Sequence, residues 1–264
     1  MLESVRKVYS PRRYADAGAG RGIASLVSAA ADLICPPRCP LCERILLPEE
    51  GLVCSGCRRK LEFIKEPFCL RCGKPLERPD REFCPDCERK PHLYDEGRSA
   101  FVYEKTMRLA VDRMKFLNRR EYIPFFAAAI LAAHKDALLR WRVQCIVPIP
   151  MHPRKKKERG FDQAELLARA VSSMSGIPVR TDLLIRTRYT KASRKLGADS
   201  RRKNLRGVFA VPDEVREGGP DALPRRVVLM DDIYTTGLTM DTAAGVLRRA
   251  GVREIYFLTI CTGR

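Results

Sequence analysis

Aromatic side chains are scarce in this 264-residue chain: Phe, Tyr and Trp make up 7%, with one Trp. That scarcity excludes recognition built mainly on a row of stacking rings. No apolar run reaches the ~18–20 residues that a membrane span needs. The best, Phe125–Ala133, is short and lies inside a helical pattern. Acidic residues are also in deficit, 32 against 50 Lys and Arg, which leaves a formal net charge of +18 and a pI near 9.7. Such an excess points to a polyanionic partner or anionic substrates, over a baseline of nonspecific attraction. The start, with Arg6, Lys7, Arg12, Arg13 and Arg21 before Ile23–Ile34, faintly imitates a targeting sequence. Its apolar part is broken by Asp32 and runs into a cysteine region. We therefore expect a basic tail and short helix over residues 1–32 and a cytoplasmic chain.

What the chain has in abundance is cysteine, concentrated in one place. Of eleven cysteines, nine fall between Cys35 and Cys87, and eight of these form CxxC pairs. Cys39/Cys42 with Cys54/Cys57, and Cys69/Cys72 with Cys84/Cys87, repeat C-x2-C-x11-C-x2-C at a 30-residue offset. The repeat argues for two similar units rather than scattered thiols. A CxxC turn places two thiolates on one edge of a tetrahedron, which suits structural Zn²⁺. A disulfide framework fits poorly in a basic chain without a secretion signal. A redox role lacks the surrounding βαβ pattern. Sequential pairing is the simpler arrangement, and a cross-braced one uses the same eight residues. With little apolar material of its own, the region depends on metal to fold. Cys35 lies outside the repeat, and Cys145 and Cys261 sit in apolar strand patterns as core residues. Residues 88–98 read as a polar linker, with His92 solvated in it.

Further along, the pattern becomes that of an α/β domain over residues 98–264. Val143–Pro150 suits a buried parallel strand. It leads into a basic run (Arg154, Lys155, Lys156, Lys157, Arg159) before a helix from about Gln163 to Ser173. Helices are expected at about 105–117 and 121–140, with Lys115 on a solvated face. Leu183–Val211 reads as strand, basic loop, strand, with Arg194, Lys195, Arg201, Arg202 and Lys203 in the loop. Residues 212–225 are a polar surface excursion, and a helix at about 239–250 and the strand Ile255–Cys261 end the chain. The sharpest segment is RVVLMDDIYTTGLTMD, residues 226–241. Four apolar residues form a buried strand, and Asp231 and Asp232 follow at its carboxyl end. Thr235, Thr236 and Gly237 then form a turn before a helix. Ligands of open α/β sheets bind at such an edge. N–H groups of the turn and the Thr235, Thr236 and Thr239 hydroxyls favour a phosphate, which Gly237 lets the backbone approach. The two acids suit sugar hydroxyls or hydrated Mg²⁺.

This ordered combination resembles the PRPP-binding loop of type I phosphoribosyltransferases, spanning Asp231, Asp232, Ile233, Tyr234, Thr235, Thr236, Gly237, Leu238 and Thr239. Together with VPIPMHPRKKKERGFDQAELLA and RTRYTKASRKLGADSRRKNLRGVFAV, it is similar to the ComF family of bacterial competence-related proteins, from about Leu33 onward. The resemblance implies a zinc-ribbon region over residues 33–90. After it comes a phosphoribosyltransferase-like domain, a mostly parallel sheet with flanking helices. It further implies a role in DNA uptake, with single-stranded DNA and PRPP as partners and Mg²⁺ accompanying PRPP. His152, Arg154, Lys155 and Arg159 are then the residues for pyrophosphate or another anion. Two readings stand beside this one, an active phosphoribosyltransferase and a zinc-stabilised adaptor for a competence helicase. Against turnover, Thr235 stands where purine-type enzymes carry an acid, and neither a general base nor an acceptor-base pocket is identifiable. Two departures from the family pattern are Asp162, where RGFNQ has Asn, and Ser193, where a Gln is frequent.

Overall fold

A computed structural model describes residues 36–189, 207–218 and 223–263. The expected N-terminal helix, Cys35, Ser193 and the basic loop from Arg194 to Lys203 lie outside the described residues. The centre is a four-stranded parallel sheet in the order β1 (Glu96–Val102), β6 (Glu254–Thr262), β5 (Arg226–Tyr234), β2 (Cys145–Pro148). All three pairings are parallel, with Met230 opposite Pro148 on one side and Leu258 on the other. Every strand therefore delivers its carboxyl end to the same edge. Residues 227–230 are all fully buried, as expected of an apolar strand covered on both faces.

Helices cover the sheet because each carries an apolar stripe and clear stop signals. On one face lie α3 (Lys105–Phe116), α4 (Ile123–Trp141) and α6 (Gln163–Ser175). Pro124 opens α4, whose 3-10 lead-in is Arg120–Tyr122, and Asp162 caps α6, which stops at Gly176 in the left-handed region. The stretch Arg120–Trp141 is long and apolar enough to cross a membrane by length and composition, more than the sequence reading allowed. Most of it is buried in this fold, because Phe125, Phe126 and Ile130 face the sheet core. On the other face, α8 (Leu238–Ala250) packs with a two-stranded antiparallel piece, β3 (Ile185–Arg186) and β4 (Phe209–Ala210). The polar excursion contains one short helix, α7 (Asp213–Glu217).

The cysteine repeat is a structural repeat at the same offset. Helices α1 (Ser55–Arg59) and α2 (Pro85–Arg89) each carry the last cysteine of a cluster. Cys39 N–H donates to Arg44 O at 2.8 Å, and Cys69 N–H donates to Lys74 O at 2.7 Å. The bridges Arg38–Ile45 and Phe68–Pro75 correspond too. Within each cluster the four Sγ atoms lie within 4.8 Å of one another, and the groups are 39/42/54/57 and 69/72/84/87. The sequential pairing is therefore the one the chain adopts. Sγ atoms of Cys42 and Cys54 are 3.7 Å apart and those of Cys72 and Cys84 are 3.6 Å apart. Four thiolates ~2.3 Å from Zn²⁺ in a tetrahedron stand roughly 3.8 Å apart, so both clusters fit a structural zinc ion.

The ribbons attach to different faces. Cys39, Leu41, Leu46, Val53 and Cys54 join the core under α3 and α4, whereas Cys69, Cys72 and Cys84 join the core under α8. The knuckle position shows why they are not interchangeable. Both Glu43 and Gly73 have positive φ, 60° and 73°. A Cβ on Gly73 would lie 2.7 Å from Gly97 O, so the second ribbon sits on the backbone of β1 and only glycine fits. Glu43 has a side chain there and uses it to pair with Arg113 at 3.0 Å.

Metal analysis of the purified chain should return two zinc ions. Cys57→Ser and Cys87→Ser should each lose one ion and keep the other. Loss of both ions from a single substitution would contradict the sequential pairing.

Candidate functional site

Parallel strands β2 and β5 bring the basic run and the DDIYTTG segment to one edge. The sequence reading placed Asp231 and Asp232 after the strand; β5 instead continues through both to Tyr234. The correction has consequences, because neighbouring residues of a strand point to opposite faces. Asp232 turns toward the α3/α6 face and is buried. Its Oδ1 lies 2.9 Å from Lys115 Nζ, and its Oδ2 accepts from Gln163 Nε2 at 2.9 Å. Lys115, expected on a solvated face, is the largely covered counter-ion of this carboxylate. Asp231 Oδ1 accepts the N–H of Asp232 at 2.8 Å. Burial, reinforced by the Asp232 carboxylate, pushes the Asp231 carboxyl up to about 8.

The turn follows directly. Thr235 and Thr236 are exposed, Ile233, Leu238 and Thr239 are half-buried, and Tyr234 is buried. Gly237 has φ 75° and begins α8, so the N–H groups of the turn and first helical residues lack intrahelical acceptors. A Cβ on Gly237 would lie 2.7 Å from the Tyr234 hydroxyl and 3.2 Å from His92 Cε1. The glycine is thus required by packing from behind as well as by the backbone angle.

Beside it, the basic run is itself a helix, α5 (Pro153–Arg159), ahead of the one expected from about Gln163. Pro153 at its start and Gly160 at its end bound it. His152 caps it, its Nδ1 accepting from Arg154 N–H at 3.2 Å. Arg154 pairs with Glu158 at 3.1 Å and lies 5.0 Å from the centroid of the Tyr189 ring. Lys155 Nζ is 5.8 Å from the same ring, and burial, then Arg186 and Arg159, lower its pKa. Arg159 donates to Gln163 Oε1 at 2.7 Å and stacks on Phe116 at 5.3 Å. Arg159, Gln163, Asp232 and Lys115 therefore form one continuous chain of contacts across the edge.

The linker, too, differs from expectation. His92 is buried, not solvated, and its Nδ1 is 2.9 Å and 3.1 Å from the two Asp241 oxygens. A carboxylate accepts, so Nδ1 carries the proton. Lys90 Nζ and Leu93 N–H also donate to Asp241, each at 3.0 Å. Burial opposes its charge, yet the bonds from His92, Leu93 and Lys90 hold the Asp241 carboxyl below its ordinary range.

With the two clusters and this edge described, known proteins can be set beside them. Residues 30–88 match the double zinc ribbon domain family. The chain is 32% identical over 213 residues to competence protein ComFC of Bacillus subtilis, covering 78% of this chain and 82% of that protein. The chain belongs to the ComF family. It is also 29% identical over 222 residues to competence protein F of Haemophilus influenzae, covering 83% and 93% of the two chains. DNA utilization protein YhgH of Salmonella typhimurium is 28% identical over 232 residues, covering 87% and 98%.

The ComF pattern has Asn where this chain has Asp162, and the structure accounts for the acid. Oδ2 of Asp162 accepts Met151 N–H at 2.8 Å, and Oδ1 accepts Ala164 N–H at 3.0 Å and Glu165 N–H at 3.2 Å. All three donors are backbone groups, which a carboxylate satisfies with both oxygens. Burial nonetheless raises its pKa.

Two measurements follow. The Asp231 carboxyl is raised from 3.8 to about 8, so between those values the folded chain keeps a proton that the unfolded chain has released. Stability contributed by this group is full below pH 4 and falls as pH rises toward 8. In denaturant melts, Asp231→Asn should flatten this decline and be the more stable protein at pH 8. Lys115→Met leaves Asp232 buried without its cation and should cost about 3–5 kcal/mol of unfolding free energy. A loss under about 1 kcal/mol would show the pair to be solvent-exposed in solution.

Proposed function

We propose that this protein acts in DNA utilisation, binding single-stranded DNA and a phosphorylated ligand such as PRPP at the carboxyl edge of its parallel sheet. The observation that carries this reading is the convergence there of the Thr235–Gly237 turn, Asp231 and basic α5. In a phosphoribosyltransferase-like pocket, the turn would hold the 5′-phosphate through its N–H groups and threonine hydroxyls. Asp231, once deprotonated, would meet the ribose hydroxyls or hydrated Mg²⁺, while Asp232 stays committed to Lys115 and Gln163. Lys155 and Arg154, at the Tyr189 ring, suit the pyrophosphate or a DNA phosphate. The relatives support the biological direction, since their names are competence protein F, competence protein ComFC and DNA utilization protein.

For DNA, the scarcity of aromatics favours backbone contacts over base reading. The exposed ring of Tyr189, with two cations beside it, is a local exception that a base can stack on.

Calorimetry with PRPP and Mg²⁺ tests the pocket. Wild type should bind more tightly at pH 9 than at pH 6, because Asp231 must release its proton, and Asp231→Asn should abolish that gain. Absence of heat from wild type at either pH would remove the PRPP half of the proposal. For the DNA half, affinity for a single-stranded oligonucleotide should fall with salt at a log–log slope near −2, the value for about three neutralised phosphates. A flat dependence would remove it.

A further inference from the structure

The second zinc ribbon and the Thr235–Gly237 turn are far apart in sequence but share a wall. We propose that the second ribbon sets the shape of that turn through its exit segment, Lys90–Asp95, with His92 and Asp241 as positioning residues. The proposal rests on reading the turn as the phosphate site.

Contacts run without a gap from the cysteine cluster to the turn. Helix α2 holds Cys87 and ends at Arg89, with Lys90 as its cap. Gly97 N–H donates to Arg71 O at 2.8 Å and Arg98 Nη1 to Leu70 O at 3.1 Å, which fasten the knuckle to β1. The exit segment then closes on α8 at both ends. At the first turn of α8, Asp241 receives Lys90, His92 and Leu93. Nearer its end, Arg248 donates to Leu93 O at 2.6 Å and pairs with Asp95 at 2.7 Å. Tyr94 stacks on His92 with ring centroids 4.7 Å apart, and its hydroxyl lies 2.7 Å from the Tyr234 hydroxyl. Tyr234 is the residue immediately before the turn, and Gly237 at its end is backed by Tyr234 and His92.

The first ribbon has no such path among the described residues. It reaches α3 instead, where Arg113 pairs with Glu43 and donates to Leu41 O at 3.4 Å. The two zinc ions thus serve different elements, and removing them should have different effects on the turn.

Hydrogen-exchange mass spectrometry on the full chain reads how firmly the turn holds the start of α8, without any ligand. Peptides covering residues 238–246, which hold the first hydrogen-bonded N–H groups of α8 beginning with Asp241 N–H on Gly237 O, should exchange at least about tenfold faster in His92→Leu, the effect of losing one charge-assisted hydrogen bond. Cys87→Ser should act likewise, and Cys57→Ser should leave these peptides unchanged. His92→Asn, which keeps a donor for Asp241, should restore near wild-type exchange. In the same variants, affinity for PRPP with Mg²⁺ should weaken in step with the exchange. Unchanged exchange at 238–246 in His92→Leu and Cys87→Ser would overturn the proposal, as would acceleration spread evenly over the chain. Local acceleration with no PRPP binding by wild type would uphold the link and remove the phosphate reading of the turn.

Discussion

Holding two adjacent carboxylates, one half-buried and one buried, at the end of a strand covered on both faces is the constraint that organises this molecule. Neither acid can be left charged in such a place without compensation. Asp232 is compensated by a cation from α3 and an amide from α6, so those two helices are fixed relative to β5 by chemistry as well as by apolar packing. Asp231 is handled differently. Burial keeps it protonated into the neutral range, ready to ionise when a cationic or hydroxyl-bearing group arrives. Two residues of one type, side by side, thereby have separate roles, one holding the scaffold and one facing the edge.

Each zinc ribbon reinforces one side of this arrangement. The first ribbon's Glu43 holds Arg113, two residues before Lys115, so it steadies the helix that neutralises Asp232. The second ribbon holds the helix that starts at the turn. A small metal-closed unit cannot bury much apolar surface alone, but each contributes to a core larger than itself, one per face. The duplication in sequence has become a division of labour in space, and Glu43 against Gly73 is its clearest trace.

Much of this was legible in the residues. The cysteine spacing located both metal clusters, and the four apolar residues before Asp231 located the central strand. The glycine after two threonines located the start of α8. What sequence alone hid were the long-range partners. Lys115 looked solvated because a lysine on an amphipathic helix usually is, and its carboxylate lies 117 positions further along the chain. His92 looked like linker for the same reason, since its partner Asp241 is 149 positions away. The helix at Pro153–Arg159 was masked by its charge run, although Pro153 and Gly160 are its start and stop signals. The extension of β5 through Asp231 and Asp232 runs against the low strand preference of aspartate, and tertiary pairing with β6 overrode it.

The net charge of +18 acquires a narrower meaning once partners are assigned. Around the sheet edge, Arg154 is tied to Glu158, Lys156 to Glu165 and Arg159 to Gln163. The first two are exposed ion pairs, which are weak and reorganise readily. They give an anion a set of cations already arranged around the edge and not drawn into it. Lys155 differs, since burial, with Arg186 and Arg159 beside it, lowers its pKa, and Glu158 only partly opposes that shift. The same logic governs Asp231 from the opposite sign. A ligand that offers a phosphate to Lys155 and Mg²⁺ or hydroxyls to Asp231 would relieve both at once. A bare polyanion relieves only the first. On the proposed reading, a phosphorylated sugar would meet both groups through its phosphate and hydroxyls, whereas a nucleic-acid backbone at the same edge would meet Lys155 alone.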